Sequence, residues 1–161
     1  MSFLDLPDLI AEYHKRNIKL RHTCTNMLIT ESMLQDFLCN KYLKMAEKEG
    51  DSIIVYSDLL ASYITKTFPK YNLIYSTTRN NNDINTINNL TSYHNMVVLN
   101  YNDNHNFQLL SSLKNPHNIE ILCAETCVDN CPHRTQHYLS ISSDQLGERK
   151  DFSCPFNRES H

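Results

Sequence analysis

Apolar residues recur along the chain in two alternating patterns, which predict a regular succession of strands and helices. Short β-branched or alternating runs have the spacing of strands, and each is followed by a segment whose apolar residues return every three or four positions. The run 52–56 is apolar at most positions, which is typical of a strand buried on both faces of a parallel sheet. The predicted strands are 18–24, 52–56, 72–77, 96–101 and 118–123.

The segments between these strands predict connecting helices, and one more helix precedes the first strand. Thr30 is a favoured N-cap residue for the second helix, and Gly50 is a favoured stop. Cys39 falls on the apolar face of that helix, so we expect it in the core. Pro132 is suited to the first turn of the last helix. The predicted helices are 3–16, 30–50, 57–69, 84–90, 107–113 and 132–141.

Strands that alternate with helices in this way predict an α/β fold with a parallel sheet and right-handed crossovers. Two sheet arrangements fit the pattern: a partial TIM-like barrel of about five βα units, or an open doubly wound sheet. A complete barrel needs eight units and about 250 residues, whereas this chain has 161. We therefore expect a single α/β domain over 1–161, and in the barrel case a truncated one.

Both architectures bind ligands at the carboxyl ends of their strands. Ser, Thr and Asn are also common turn and cap residues, so each one taken singly is explained equally well by local structure. Their recurrence at successive strand ends favours a shared polar pocket, and Asn100 is one candidate for contacting a substrate. The residues at these ends are Thr23 to Asn26, Ser57, Ser76 to Arg79, Asn100, Asn102 and the segment 123–131.

The composition narrows the functional classes. The net charge is −3 and the basic residues are scattered, which argues against a nucleic-acid partner. We expect no membrane span and no export signal, because the sequence has no apolar run of the required length. Six cysteines without such a signal suggest a reducing compartment, so we expect a cytoplasmic protein. The only glycines are Gly50 and Gly147, which excludes a glycine-rich phosphate loop after any strand.

Candidate chemistry is concentrated after the fifth predicted strand, where four cysteines suggest a metal site. Cys127 and Cys131 are four residues apart, Cys123 precedes them, and Cys154 follows later in the chain. Four thiolates can hold zinc or a [4Fe–4S] cluster. The spacing is neither that of a zinc ribbon nor that of a radical-SAM enzyme, and Cys123 could equally be a small buried apolar residue. We expect Cys127, Cys131 and Cys154 as ligands, with Cys123 or a histidine as the fourth.

Charged and imidazole groups surround these cysteines. His133 and His137 lie one helical turn apart, which suits either a metal pair or two surface imidazoles. Arg134 near a helix N-terminus opposes the helix dipole, which indicates an anionic partner. That partner is either Glu125, in a structural salt bridge, or the carboxylate or phosphate of a small-molecule substrate. We therefore expect Glu125, His133, Arg134 and His137 to surround the metal ligands or to contact substrate.

The run from Glu125 to Tyr138 resembles a segment, N-E-x-C-x-x-x-C-P-x-R-x-x-H, of bacterial barrel proteins that look like distant relatives of the collagenase-like peptidase family. The stretches 21–26, 75–78 and 97–101 are similar to the same group. The resemblance implies a TIM-like barrel. In the wider family it implies four cysteines holding an iron–sulfur cluster, in proteins that support hydroxylation of RNA or ubiquinone precursors. The matching residues are Glu125, Cys127, Cys131, Pro132, Arg134 and His137.

Two departures from that segment bear on what the resemblance implies. Ala124 stands where the pattern has Asn, which removes a polar group beside the cysteines. The cysteine spacing also differs from that of the cluster-binding members, so cluster binding does not follow from the resemblance alone.

Three functional hypotheses remain open, and the sequence does not decide whether the protein is an enzyme. The first is a barrel-type protein with a cysteine-ligated metal or iron–sulfur site at the carboxyl ends of the strands. The second is a non-enzymatic, zinc-stabilised binding domain. The third is an inactive barrel fragment that self-associates or is completed by a partner chain, because absent βα units would leave an open sheet edge. No Ser-His-Asp or H-E-x-x-H arrangement can be read, so no catalytic residue is predicted.

Overall fold

The computed structural model describes residues 5–80, 83–93, 95–124, 127–148 and 152–155. The strands are β1 (Arg21–Cys24), β2 (Ser52–Val55), β3 (Asn72–Tyr75), β4 (Met96–Val98) and β5 (Ile119–Glu120). The helices are α1 (Leu6–Lys15), α2 (Phe37–Ala46), α3 (Asp58–Thr67), α4 (Ile84–Ser92), α5 (Phe107–Ser111) and α6 (Arg134–Gln145). Among these described helices, none is long and apolar enough to cross a membrane.

The five strands form one sheet in the order in which they occur along the chain, and every neighbouring pair is parallel. This confirms the predicted α/β class with parallel βα repeats. Within the described strands the order does not reverse, and residues of α2, α3 and α4 share one core cluster with the strands, so these helices pack on the same face of the sheet. An open sheet is compatible with this order.

The hydrophobic core lies between that face of the sheet and helices α2 to α4. Its strand residues alternate along β2, β3 and β4, as the two-residue period of a strand requires. Ile53, Ile64 and Ile87, from one strand and two helices, are completely buried. The other core residues include Leu43, Val55, Leu60, Ala61, Phe68, Tyr71, Leu73, Tyr75, Val97 and Leu99. The strands therefore pack against the helices on one face, and their opposite face carries both charged and apolar side chains, among them Arg21, Ile74 and Val98.

One ion pair on that opposite face shows that the sheet is curved. Arg21 on β1 donates from Nη1 to Glu120 Oε2 on β5 at 2.6 Å, although three strands separate these two. In a flat sheet a spacing of about 4.8 Å per strand would place β1 and β5 about 19 Å apart, farther than the two side chains reach together. The sheet therefore curls towards this face, which we call the concave face. Arg21 Nη2 also lies 3.9 Å from the sulfur of Met96 on β4.

A buried polar network occupies the amino ends of β1 and β2. Asp51, which is fully buried, pairs with His14 of α1 at 2.6 Å and accepts a hydrogen bond from the backbone N–H of Leu20 at 3.0 Å. His22 shares a 2.7 Å hydrogen bond with the hydroxyl of Tyr42. Its ring also packs edge-on against Tyr42 and Tyr71. These contacts attach α1 and α2 to the start of the sheet.

The second helix differs from its prediction. A 3-10 turn at Ser32–Gln35 is followed by a break at Asp36, whose ψ of 120° is incompatible with a continuous helix. The Asp36 carboxylate accepts the N–H of Cys39 at 2.7 Å and caps α2, so Thr30 as its N-cap was wrong. Cys39, expected in the core, is exposed. The sequence pattern missed the break because apolar residues keep a helical spacing across it.

Candidate functional site

Loops from successive strands meet at the carboxyl edge of the sheet, and α6 attaches to two of them. The side chain of Asn26, after β1, donates to the carbonyl of Ser142 at 2.9 Å. The next residue, Met27, donates its N–H to the Ser142 hydroxyl at 3.0 Å. Near the start of α6, Thr135 accepts a 3.4 Å hydrogen bond from Asn80, which follows β3. The helix therefore joins the loops after β1 and β3 across this edge.

The loop between Cys127 and Cys131 folds back on itself. The N–H of Cys131 donates to the carbonyl of Val128 at 3.3 Å. Asn130 adopts a φ of 52°, a left-handed conformation that Asn tolerates better than most residues. Its N–H donates to the Asn102 side chain at 3.1 Å, which fastens the loop to the segment after β4. We call residues 127–131 the cysteine loop.

The two thiols of the cysteine loop lie close enough to influence each other. Burial raises the pKa of Cys127, the positive charge of Arg134 lowers it, and the neighbouring Cys131 thiol raises it by charge and hydrogen bonding. The net pKa of Cys127 is above its ordinary value. The thiolate form of Cys127 is therefore less favourable than that of a free cysteine, and a nearby positive charge such as a metal ion would offset this cost.

Arg134, the first residue of α6, turns inward towards the cysteine loop. It is only 6% exposed, and its Nη2 donates to the carbonyl of Val128 at 3.3 Å. Its backbone N–H donates to the carbonyl of Cys131 at 3.3 Å. The predicted position at the helix start is thus confirmed, and the guanidinium lies where it favours the thiolate form of Cys127. Glu125, its predicted partner, lies outside the described residues.

The two histidines keep their predicted spacing but contact different neighbours. The N–H of His137 donates to the carbonyl of His133 at 2.9 Å, as one helical turn requires. The His133 ring shares a 3.0 Å hydrogen bond with Gln136. The His137 ring stacks on Phe152, with ring centroids 5.7 Å apart. This stacking holds the segment 152–155, which includes Cys154, against α6.

The structure brings part of the predicted ligand set together. Cys127, Cys131 and Cys154 are partly buried, whereas Cys123 is exposed. Across residues 5–80, 83–93, 95–124, 127–148 and 152–155, no three or more His, Cys, Asp or Glu side chains form a group that could hold a metal ion. The described arrangement therefore contains a pair of neighbouring thiols, and further ligands would have to approach them.

Two asparagines after β4 have different roles. Asn100 accepts the N–H of Asn102 at 3.1 Å and caps the 3-10 turn Tyr101–Asp103, so its described contact is local. Asn102, which the sequence did not separate from the other strand-end residues, is the one that binds the cysteine loop. No sequence signal distinguishes them, because both are asparagines after the same strand.

A second polar cluster connects the ends of β2 and β3. Arg79 donates from Nη1 to the carbonyl of Tyr56 at 2.7 Å and to Asp58 Oδ1 at 2.8 Å. Its Nη2 donates to Asp58 Oδ2 at 3.2 Å, and its guanidinium lies 5.0 Å from the centre of the Tyr75 ring. Sequence reasoning did not recognise this ion pair. The available signal was a pair of opposite charges at the ends of two strands that are adjacent in a parallel sheet.

Comparison with protein-family models, with curated proteins and with solved structures found no significant match to this chain.

Proposed function

We propose that this protein binds a soft metal centre, zinc or an iron–sulfur cluster, through thiolates at the carboxyl edge of a barrel-type sheet. The pair of neighbouring thiols in the cysteine loop is the observation that carries the proposal. Cys127 and Cys131 provide the first two ligands, and Cys154 provides the third. Zinc would hold the cysteine loop and the segment 152–155 together, while an iron–sulfur cluster would add electron transfer.

The order and curvature of the sheet support a barrel-type scaffold. In a (β/α) barrel, parallel strands follow one another in sequence order, and their inward side chains face one another across the interior. The strand order β1 to β5 has this character. The Arg21–Glu120 pair joins the first and last strands across the concave face. The proposal is therefore a partial barrel whose ligand site lies at the end where barrels bind their ligands.

The donor atoms fit a soft metal in kind, and the thiols of Cys127 and Cys131 are near enough to interact through a hydrogen bond. Thiolates are preferred ligands of zinc and of iron–sulfur clusters. The stacking of Phe152 on His137 holds the segment that carries Cys154 against α6, and His137 follows Cys131 by six residues. Completing the site requires a movement of the segment that carries Cys154, with Cys123 or His133 as the fourth ligand. Binding and local ordering would then be coupled.

Arg134 and Asn102 would support such a site without being ligands. The Arg134 guanidinium offsets the negative charge that accumulates when thiolates gather. The Asn102 side chain holds the cysteine loop through the N–H of Asn130. The contacts of ligand-supporting residues set metal affinity, so we expect Asn102→Ala to weaken binding about tenfold or more.

Metal analysis and absorption spectra of anaerobically purified protein test this proposal. We expect zinc, or iron with sulfide, at a fixed ratio to protein, and loss of the metal in Cys127→Ser, Cys131→Ser and Cys154→Ser. Cys39→Ser is the matched control, because Cys39 is exposed on α2 and distant in sequence from the loop. Metal contents that are equal in all four variants would contradict the proposal.

The anaerobically purified protein also distinguishes the other two hypotheses, a zinc-stabilised binding domain and a self-associating fragment. A structural zinc site predicts unfolding by chelators, because the folded state depends on the bound ion. An incomplete sheet that needs a partner predicts a dimer or larger species in size-exclusion chromatography, whatever the metal content. A metal-free monomer that resists chelators would contradict both alternatives.

A further inference from the structure

A polar cavity separate from the cysteine loop lies at the carboxyl edge, between the loops after β1, β2 and β3. Its volume is about 320 Å³, and its lining residues are Met27, Tyr56, Ser57, Asp58 and Arg79. Three successive strand ends contribute to it, which is the position where parallel α/β sheets bind small molecules. Its volume falls at the lower end of the range for small-molecule sites, so it suits a small metabolite.

The walls of this cavity are held in place by hydrogen bonds to α6 and by contacts among the lining residues themselves. Met27 is fixed by its hydrogen bond to Ser142 of α6. Arg79 is fixed by the carbonyl of Tyr56, by both oxygens of Asp58 and by the ring of Tyr75. A site whose groups are ordered before binding loses less conformational entropy when a ligand arrives. The cavity is therefore pre-organised around an ion pair.

After these hydrogen bonds are made, Arg79 still has N–H donors and Asp58 still has oxygen lone pairs that could bind a ligand. A guanidinium has five N–H groups, and the bonds to Tyr56 and Asp58 engage three of those in Arg79. Within the described part of the chain, the Nε–H and one Nη2–H remain, and these two form a fork that matches a carboxylate. The Asp58 side chain is 71% exposed, and each of its oxygens has a further lone pair.

We propose that this cavity binds a small zwitterion of the α-amino acid class, with its carboxylate on the Nε–Nη2 edge of Arg79 and its ammonium on Asp58. A ligand with both charges satisfies both partners, whereas a simple anion would be repelled by Asp58 and a simple cation by Arg79. Tyr56 and Met27 border the space left for a side chain. This proposal does not depend on metal binding, because the cavity contains no cysteine.

Isothermal titration calorimetry of the full chain with glycine, L-alanine, L-serine and L-methionine tests the proposal. L-Alaninamide, which lacks the carboxylate, and N-acetyl-L-alanine, which lacks the ammonium, are the matched ligands. We expect saturable one-to-one binding of at least one amino acid. Each matched ligand should bind roughly tenfold or more weakly, since a lost charged hydrogen bond is worth about that factor.

Variants assign the binding to this ion pair. Arg79→Gln and Asp58→Asn should weaken amino-acid binding by roughly tenfold or more. Arg16→Gln should not, because Arg16 belongs to an exposed pair with Glu12 on α1. Cys127→Ser should bind the amino acid as the wild type does, which separates this proposal from the metal site. The matched ligands test the wild-type chain itself, so the proposal remains testable if Arg79→Gln fails to fold.

Three results would overturn the proposal. The first is the absence of binding by all four amino acids. The second is equal affinity for L-alanine and N-acetyl-L-alanine, which would show that Asp58 accepts no ammonium. The third is binding of inorganic phosphate at Arg79 in preference to amino acids, which would make the cavity an anion site.

Discussion

The two ends of the sheet are built differently. At the amino ends of the strands, a buried carboxylate, Asp51, is matched by a short contact to His14, and His22 is enclosed by aromatic rings. At the carboxyl ends, hydroxyls, amides and thiols lie in loops, and the cysteine loop is closed by a longer hydrogen bond, from Cys131 to Val128 at 3.3 Å. The amino end encloses this network, whereas at the carboxyl end Asp58 is largely exposed and the cysteines of the loop are partly exposed.

This difference agrees with a stabilising role for the amino end and with the binding role that we propose for the carboxyl end. A buried charge that loses its partner is costly, so the network around Asp51 tolerates little change. Groups in partly exposed loops can be replaced or can take up a ligand without such a penalty. In barrel-type folds conserved roles divide along the same axis, with ligands at the carboxyl ends of the strands.

Replacing Asp51 should produce the largest loss of stability. In Asp51→Ala, the backbone N–H of Leu20 loses its acceptor and His14 loses its partner in a buried region. Breaking a buried pair typically costs about 3–5 kcal/mol of unfolding free energy. Urea denaturation measures this, with Glu12→Ala as the control, because the exposed Glu12–Arg16 pair should contribute about 1 kcal/mol or less. Similar losses of unfolding free energy in Asp51→Ala and Glu12→Ala would contradict a special stabilising role for the amino end of the sheet.

The buried His22 predicts that acid weakens the amino end. Burial lowers the pKa of His22, the charge of Asp51 raises it, and that of His14 lowers it, with a net decrease. The unfolded chain therefore takes up the proton at a higher pH than the folded chain. The stability due to neutral His22 is complete above the unfolded pKa of about 6.5 and is lost as the pH falls below it.

His22→Phe isolates this contribution. The variant keeps an aromatic ring between Tyr42 and Tyr71 but cannot be protonated. Between pH 7.5 and 5.5 its urea midpoint should fall less than that of the wild type. The exposed His105 provides the control, since His105→Asn should follow the wild-type curve. An equal pH dependence in His22→Phe and the wild type would show that His22 stays neutral, or is charged, in both states.

The Arg21–Glu120 pair tests the curvature of the sheet. Its side chains are 45% and 32% exposed, so solvent screens their attraction. A double-mutant cycle with Arg21→Ala and Glu120→Ala should give a coupling of about 0.5–1 kcal/mol. A coupling indistinguishable from zero would contradict a stable contact between β1 and β5.

The smallest effect is expected at the cysteine loop in the absence of metal. Serine at position 131 is nearly the same size as the partly buried cysteine. Metal-free Cys131→Ser should therefore unfold within about 0.5 kcal/mol of the metal-free wild type. A loss comparable to that of Asp51→Ala would mean that the loop is part of the structural core.

Sequence patterns predicted the repeats of the fold well because the signals for strands and helices are local. The β-branched runs mark β2 and β4, and they form strands in the predicted places. The pattern placed α2 too early because Asp36 caps the helix through a local hydrogen bond that apolar spacing does not reveal.

The carboxyl-edge site was predictable only in part. Cys127, Cys131 and Arg134 were recognisable because they lie close together in sequence. Asn102, Phe152 and the Asp58–Arg79 pair were not, because their contacts join segments that are far apart along the chain. Which of many equivalent polar residues meet across a sheet edge depends on strand order and loop conformation.

The dependence of stability on zinc tests the division between the two ends most directly. Urea unfolding of the wild type and of Cys131→Ser would be compared in a chelator and in excess zinc. If the folded cysteine loop binds zinc, the wild type gains stability with the logarithm of zinc concentration, and Cys131→Ser does not. Asp51→Ala, if it still folds, should be less stable throughout but show the same zinc-dependent gain. A wild type whose stability is unchanged by zinc and by added iron and sulfide would contradict the account.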